Sequence, residues 1–303
     1  MNLGYACINT ELNSRKGDDR ITTNRSMIKR TFQEKGLEYT SELVLQNVTD
    51  LYSIIEWNEQ NNIKFFRLSS EMFPWASEYY QDWDNFPNIE KIKSILQDCG
   101  NLATKYGHRI TSHPGPFNVL VSPNENVVQN TITDLTIHGQ IFDMMGLSRT
   151  PYNKLNIHCN GVYGDRESAL DRFCKNFERL PESVQTRLTV ENDDKASMYS
   201  VKELYDGIYK RINIPIVFDY HHHRFCDGGL SEQEALELAM STWGDIKPVV
   251  HYSESKAEHQ LDETIRPQAH SDLIKELPNT YGNDVDIMVE AKHKELAIEG
   301  FIK

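Results

Sequence analysis

Six residues that can bind cations, His113, His158, Glu191, Asp219, His251 and Glu290, each stand at the C-terminal end of a short apolar run. A lone histidine in such a place is ordinarily a satisfied structural residue. Six in the same place are not explained that way. Imidazole nitrogens with carboxylate oxygens and no cysteine suit manganese, zinc or iron better than calcium or an iron–sulfur cluster. Three carboxylates brought together repel unless divalent cations balance them. One catalytic ion with open positions cannot use six ligands, so at least two ions are expected, with a carboxylate bridging them.

The apolar runs that end in these residues read as strands, with candidates at Leu3 to Ile8, Lys64 to Ser69, Arg109 to His113, Lys154 to His158, Leu188 to Glu191, Ile214 to Asp219, Pro248 to His251 and Asp286 to Glu290. Helical periodicity fills the intervals, at Ser41 to Asn61, Ile89 to Tyr106, Asn126 to Met145, Ser168 to Leu180, Val201 to Lys210, Ser231 to Met240 and Ser271 to Glu276. Strand followed by helix, repeated, implies a parallel sheet with right-handed crossovers. Eight units in 303 residues predict an α/β fold of the (β/α)8 TIM barrel type, a single domain over 1–303. The rival doubly wound sheet would carry a Gly-rich phosphate turn, and no G-x-G-x-x-G or Walker A string is present.

Alternation sends Asn156 and His158, Thr189 and Glu191, Val217 and Asp219, Val249 and His251, and Met288 and Glu290 to the inside. His113 ends its strand before Pro114 and Gly115. In Asp219-Tyr220-His221-His222-His223, alternation puts His221 and His223 with Asp219, and His222 joins them only if the chain turns there. His270 lies on a connection and reads by default as solvent-exposed. A net charge of −13 argues against a broad basic coat for nucleic acid but permits a local groove or bound cations that reverse the sign. No apolar run reaches membrane-spanning length, and the five cysteines form no C-x-x-C pair. A cytoplasmic protein with reduced thiols and no membrane partner is expected.

The chain resembles the UV-damage DNA endonucleases. The likeness is carried nearly end to end by Leu3 through Asn9, Thr22-Thr23-Asn24-Arg25, Phe66-Arg67-Leu68-Ser69, His113-Pro114-Gly115, His158 with Gly161-Val162-Tyr163-Gly164, Val190-Glu191-Asn192-Asp193, Asp219 with His222-His223, His251, Arg266-Pro267 with His270, and Met288 through Lys292. The resemblance implies hydrolysis of the phosphodiester immediately 5′ to a photolesion in double-stranded DNA, by a monomer, leaving a 3′ hydroxyl and a 5′ phosphate. It implies two or three divalent metal ions, manganese first, with zinc or iron as alternatives. Ligation falls to His113, His158, Glu191, Asp219, His222, His251, His270 and Glu290, which selects His222 from the histidine run and recruits His270. Tyr5 and Asn9 match positions that contact DNA near the lesion. Pro116 and Phe117 stand where the family commonly has Gln-Tyr to probe the duplex, and Phe117 can still wedge between bases. Arg67 and Lys292 could position phosphates. Glu191 is the expected bridge, and Glu78, in place of a family histidine, the candidate base.

A lysine sometimes found two residues before His251, modified to a carboxylate, is Val249 here. Three other readings remain: an apurinic-site endonuclease, a sugar isomerase of the same barrel, and a lesion-binding protein that has lost turnover. A sugar isomerase should show a lysine and aromatic residues holding an open-chain sugar. Tyr5, Phe117 and the basic loop from Arg15 to Arg25 look more like a nucleic-acid groove.

Overall fold

The computed structural model describes residues 1–302 and closes eight parallel strands into a barrel in sequence order. They are β1 (Leu3–Ala6), β2 (Phe65–Leu68), β3 (Arg109–Ser112), β4 (Leu155–His158), β5 (Leu188–Glu191), β6 (Ile216–Asp219), β7 (Val249–Tyr252) and β8 (Asp286–Val289). All eight expected strands form, each four residues long. Helices α1 (Lys29–Gln60), α2 (Ile89–Lys105), α3 (Glu125–Met144) and α4 (Arg166–Phe177) follow the first four strands. After β5 a helical turn, Val201–Leu204, runs through a π segment, Tyr205–Tyr209, into Lys210–Ile212, and α5 (Glu232–Met240) follows β6.

Side-chain alternation sorts each strand. Leu155, Ile157, Leu188, Val190, Ile216 and Phe218 join the large apolar layer with residues of the helices, such as Val48, Leu51 and Ile55 of α1. The other parity fills the barrel, where Ala6, Phe65, Val217, Val249 and Met288 pack with Trp243 in a small second cluster. At the N-terminal end of the strands, Arg109 Nη1 lies 3.2 Å from Asp286 Oδ2. The same guanidinium donates to the carbonyls of Tyr152 and Lys247, while Asp286 Oδ1 accepts from the Asn2 amide at 2.8 Å. This end is sealed, and the chemistry-bearing residues collect at the other.

Two local expectations are corrected. Helix α1 begins before Ser41, because Gly36, at φ +65°, lets two helical pieces join across a kink. The helix expected over Ser271 to Glu276 does not form. The Lys275 and Glu276 amides donate to Glu254 Oε1, at 2.9 and 3.3 Å, instead of to carbonyls one turn back. Ser271 Oγ donates to the Leu273 carbonyl, and Pro278 closes off any extension. Glu254 also accepts from Tyr252 Oη and pairs with His259. Among the described residues, only the short helix Lys256–Gln260 and 3₁₀ turns at Lys294–Ala297 and Glu299–Phe301 follow the last two strands. Among the described residues, no helix is long and apolar enough to cross a membrane.

The buried Arg109–Asp286 pair sets a stability test. Asp286→Ala strands a guanidinium in a dry barrel floor and is expected to lower unfolding free energy by about 3–5 kcal/mol. Denaturant unfolding followed by far-UV circular dichroism measures it. A loss of less than about 1 kcal/mol would mean that Arg109 is satisfied by the carbonyls alone.

Candidate metal centre

Strand register places the ligand-type residues side by side at the C-terminal mouth. His158 of β4 pairs in register with Glu191 of β5, and Asp219 of β6 with His251 of β7. Glu191 Oε2 lies 3.3 Å from His113 Nε2, 3.7 Å from His158 Nε2 and 3.0 Å from His251 Nδ1. Its Oε1 is 3.5 Å from His222 Nδ1. Glu290 Oε1 is 3.3 Å from His251 Nδ1, and its Oε2 is 3.8 Å from His270 Nδ1. Two groups have donor atoms within 4.8 Å of one another: His113, His158 and Glu191, and Glu191, Asp219 and His251. Glu191 belongs to both.

The histidine run is resolved by a turn. Asp219 ends β6 and caps the four-residue helix Tyr220–His223, its Oδ1 accepting from the His222 amide at 2.8 Å. Helical rotation replaces strand alternation and carries the His222 ring to the cluster, with Nε2 4.0 Å from Asp219 Oδ2. His221 instead packs edge-on against Phe225 and His270, and His223 lies tilted against Phe218. His270 is also drawn in, since its backbone bridges Ser255 and its Nδ1 donates to the Glu290 carbonyl at 2.9 Å. It is not the exposed loop residue that its position in the chain suggests.

Ring orientations follow from partners that can only accept. Nδ1–H of His113 donates to the Pro114 carbonyl at 3.2 Å and that of His222 to the Asn192 carbonyl at 2.9 Å. With Nδ1 taken up in this way, as it is in His270, these rings leave Nε2 as the nitrogen without a carbonyl partner. Burial pushes the His113 imidazole down to about 4, against the pull of Glu191, so it is neutral near pH 7. Burial would also lower His222, but the Asp219 and Glu191 carboxylates outweigh it and hold that ring up at about 9. Glu191 Oε1, Asp219 Oδ2, His158 Nδ1 and His251 Nδ1 are buried without a hydrogen-bond partner among the described residues. Buried polar atoms are seldom left so, and orphaned nitrogen and oxygen donors in one spot fit divalent cations.

Several expected residues stand elsewhere. Tyr5, on the helix side of β1, and Asn9, just past the strand, are both buried: Tyr5 Oη donates to Asn58 Oδ1 at 2.7 Å and accepts from Asn9 Nδ2 at 3.0 Å. Asn9 Oδ1 caps the turn after β1 by accepting from the Leu12 amide. The polar atoms of both side chains are thus used internally. Glu78 is exposed on the 3₁₀ turn Ala76–Glu78 and takes part in none of the cluster's contacts, so it is not placed as its base. Lys292 is exposed two residues beyond Glu290. Pro116 and Phe117 stand on the rim, Phe117 being 86% exposed. Arg67 lies inside and pairs with Glu290. Val249 is part of the apolar interior below the mouth.

The site also contains residues not singled out from the sequence for a role. Asn156 donates to Glu191 Oε2 and accepts from Thr189 Oγ1. Asn192 ties β5 to β6, donating to the Asp219 carbonyl at 3.0 Å and accepting from the Asp219 amide at 2.8 Å. Lys154 Nζ lies 3.0 Å from His251 Nε2. Half-buried Lys294 faces the Arg67 and Glu290 charges. Inward parity identifies Asn156, but the reach of the other three depends on the closed barrel.

A family profile described as UV-endonuclease UvdE matches residues 1–303. The chain is 39% identical to the UV-damage endonuclease of Schizosaccharomyces pombe over 98% of its own length, and spans 49% of that relative. It is 32% identical to the UV DNA damage endonuclease of Bacillus cereus (strain B4264), covering 84% of this chain and 80% of the relative. The crystal structure of SacUVDE superposes with a TM-score of 0.84 at 31% identity, covering 100% of this chain and 96% of that one. A D-tagatose 3-epimerase-like protein, at TM-score 0.55 and 14% identity over 80% of this chain and 88% of its own, shares the fold alone. By the full-length profile match and the identity to these relatives, the chain belongs to the UV-endonuclease UvdE family.

Proposed function

We propose that this chain is a metal-dependent endonuclease that nicks UV-damaged double-stranded DNA, hydrolysing the phosphodiester immediately 5′ to the lesion and leaving a 3′ hydroxyl and a 5′ phosphate. The observation that carries the reading is the pair of donor groups sharing Glu191 at the open end of the barrel. Family membership supports the substrate class. A bound pair of divalent ions supplies a water of lowered pKa and positive charge for the phosphate and its leaving 3′ oxygen. Manganese is the proposed metal, zinc and iron being the alternatives with the same donor preference.

Glu191, common to both donor groups, would be shared between the ions in this reading. Asp219, His251 and Glu290 would hold one ion and His113 with His158 the other, while His222 and His270, 6.3 Å apart between ring centroids, could hold a third. Asn156 holds one Glu191 oxygen and so fixes the angle of the carboxylate. Arg67 neutralises and orients Glu290. Exposed Lys292 lies where a phosphate approaching the mouth gains from its charge. Exposed Phe117 is the proposed wedge, able to stack on bases parted at the lesion. The whole donor set comes from one barrel, so a monomer suffices to build the site.

Nicking assays test the reading. With Mn²⁺, the protein is expected to cut an irradiated end-labelled duplex and to spare an intact one. Cutting of only an abasic duplex would assign an apurinic-site activity instead, and binding without cutting a lesion-recognition role. Chelation should abolish cutting and Mn²⁺ should restore it. Glu191→Gln should reduce the rate on the order of 10³-fold, about 4 kcal/mol of transition-state stabilisation. Full activity in that variant would remove the metal centre from the mechanism. Phe117→Ala should lower kcat/KM on irradiated DNA about tenfold through lost stacking, with metal content unchanged.

A further inference from the structure

We propose that Thr189 is a positioning residue of the metal centre: by donating to the Asn156 amide, it fixes the direction in which that amide holds the carboxylate of Glu191. The inference rests on the metal-centre reading above. Strand register stacks the residues in two levels. His158 and Glu191 pair at the mouth, and Asn156 and Thr189 pair two residues below them on the same strands. Both lower side chains are fully buried. The hydroxyl of Thr189 donates to Asn156 Oδ1 at 2.7 Å, and Asn156 Nδ2 donates to Glu191 Oε2.

Elsewhere the lower level is built for packing. Val217, Val249 and Met288, two residues before Asp219, His251 and Glu290, are apolar and belong to the interior cluster. Thr111, two before His113, carries a hydroxyl without a hydrogen bond among the described residues. A buried amide and hydroxyl among such neighbours cost desolvation that an aliphatic pair would avoid. They stand below Glu191, which belongs to both donor groups. Chemistry fixes the direction of each bond. A carboxylate serving as a cation ligand has oxygens that only accept, so the amide must present Nδ2 to it. Oδ1 is then left facing Thr189, and a carbonyl oxygen takes its hydrogen bond from the hydroxyl. Without that donor, Oδ1 loses its partner in a dry interior, and turning the amide over would set oxygen against oxygen at Glu191. Thr189 thus governs the tilt of the carboxylate whose Oε2 faces His113, His158 and His251, without touching the cation or the DNA.

The experiment reads metal binding, not cutting. Chelator-stripped full chain is titrated with Mn²⁺ alone, free ion being followed by electron paramagnetic resonance, and folding is checked by thermal unfolding. Thr189→Val keeps the shape and removes the donor; it should weaken Mn²⁺ binding about tenfold, the lower end of what groups supporting metal ligands contribute. Thr189→Ser keeps the hydroxyl and should bind within about threefold of the unsubstituted protein. A packing role predicts the opposite order, since valine fills the space and serine does not. In an Asn156→Ala background, Thr189→Val should change the affinity by less than about twofold, because the amide through which it acts is gone. The proposal is overturned if Thr189→Val binds Mn²⁺ within about twofold of the unsubstituted protein, if Thr189→Ser loses as much as Thr189→Val, or if the Thr189→Val loss persists undiminished without the Asn156 amide. Each of these leaves the metal centre intact. Should Thr189→Val not fold, Thr189→Ala, which also lacks the donor, takes its place under the same criteria. Absence of Mn²⁺ binding by the unsubstituted protein instead removes the metal-centre reading itself.

Discussion

Negative charge confined in a dry mouth is the constraint on which the structure turns. Glu191, Asp219 and Glu290 occupy one end of a barrel that excludes water from most of their atoms. Their mutual repulsion is answered by Arg67 on Glu290 and by His222 beside Glu191 and Asp219. Those protein groups still leave oxygens of Glu191 and Asp219 without a hydrogen bond. The strand register, the capped turn after β6 and the carbonyl-pinned rings all serve to aim donors at the same small volume.

The two ends of the barrel divide the work. At the closed end, Arg109, Asp286, Phe65 and Trp243 form a polar and aromatic floor, with Arg109 5.7 Å from the Trp243 ring centroid. At the open end, polar atoms are held in directions set by neighbouring strands. Asn192 illustrates the coupling: its side chain joins β5 to β6 while its carbonyl holds His222. One residue therefore controls both the spacing of two strands and the tautomer of a ring.

Much of this was legible in the sequence because period-two alternation in four-residue strands is a strong signal, and it correctly placed Asn156, Thr189, Val217 and Val249 inside. It also carried the warning about Tyr5, whose parity matches Leu3 on the apolar outer layer. The resemblance placed Tyr5 at DNA; the structure gives it to Asn58. His222 was not decidable from alternation, since Asp219 caps a helical turn only when β6 has ended. Lys154 read as an ordinary strand start because its partner, His251, is ninety-seven positions away. Ser271 to Glu276 looked helical, but its amides answer to Glu254, a tertiary partner invisible to local propensity.

That carboxylate has a wider consequence. Glu254 receives Tyr252, His259 and the amides of Lys275 and Glu276, so one side chain fastens both halves of an excursion that includes His270. The excursion lacks a long helix to brace it, and the shape of the region around His222 and His270 is inherited from a knot on the protein's flank. Drift at Glu254 would alter the mouth from a distance, through slack in a tether and without any change in a donor atom.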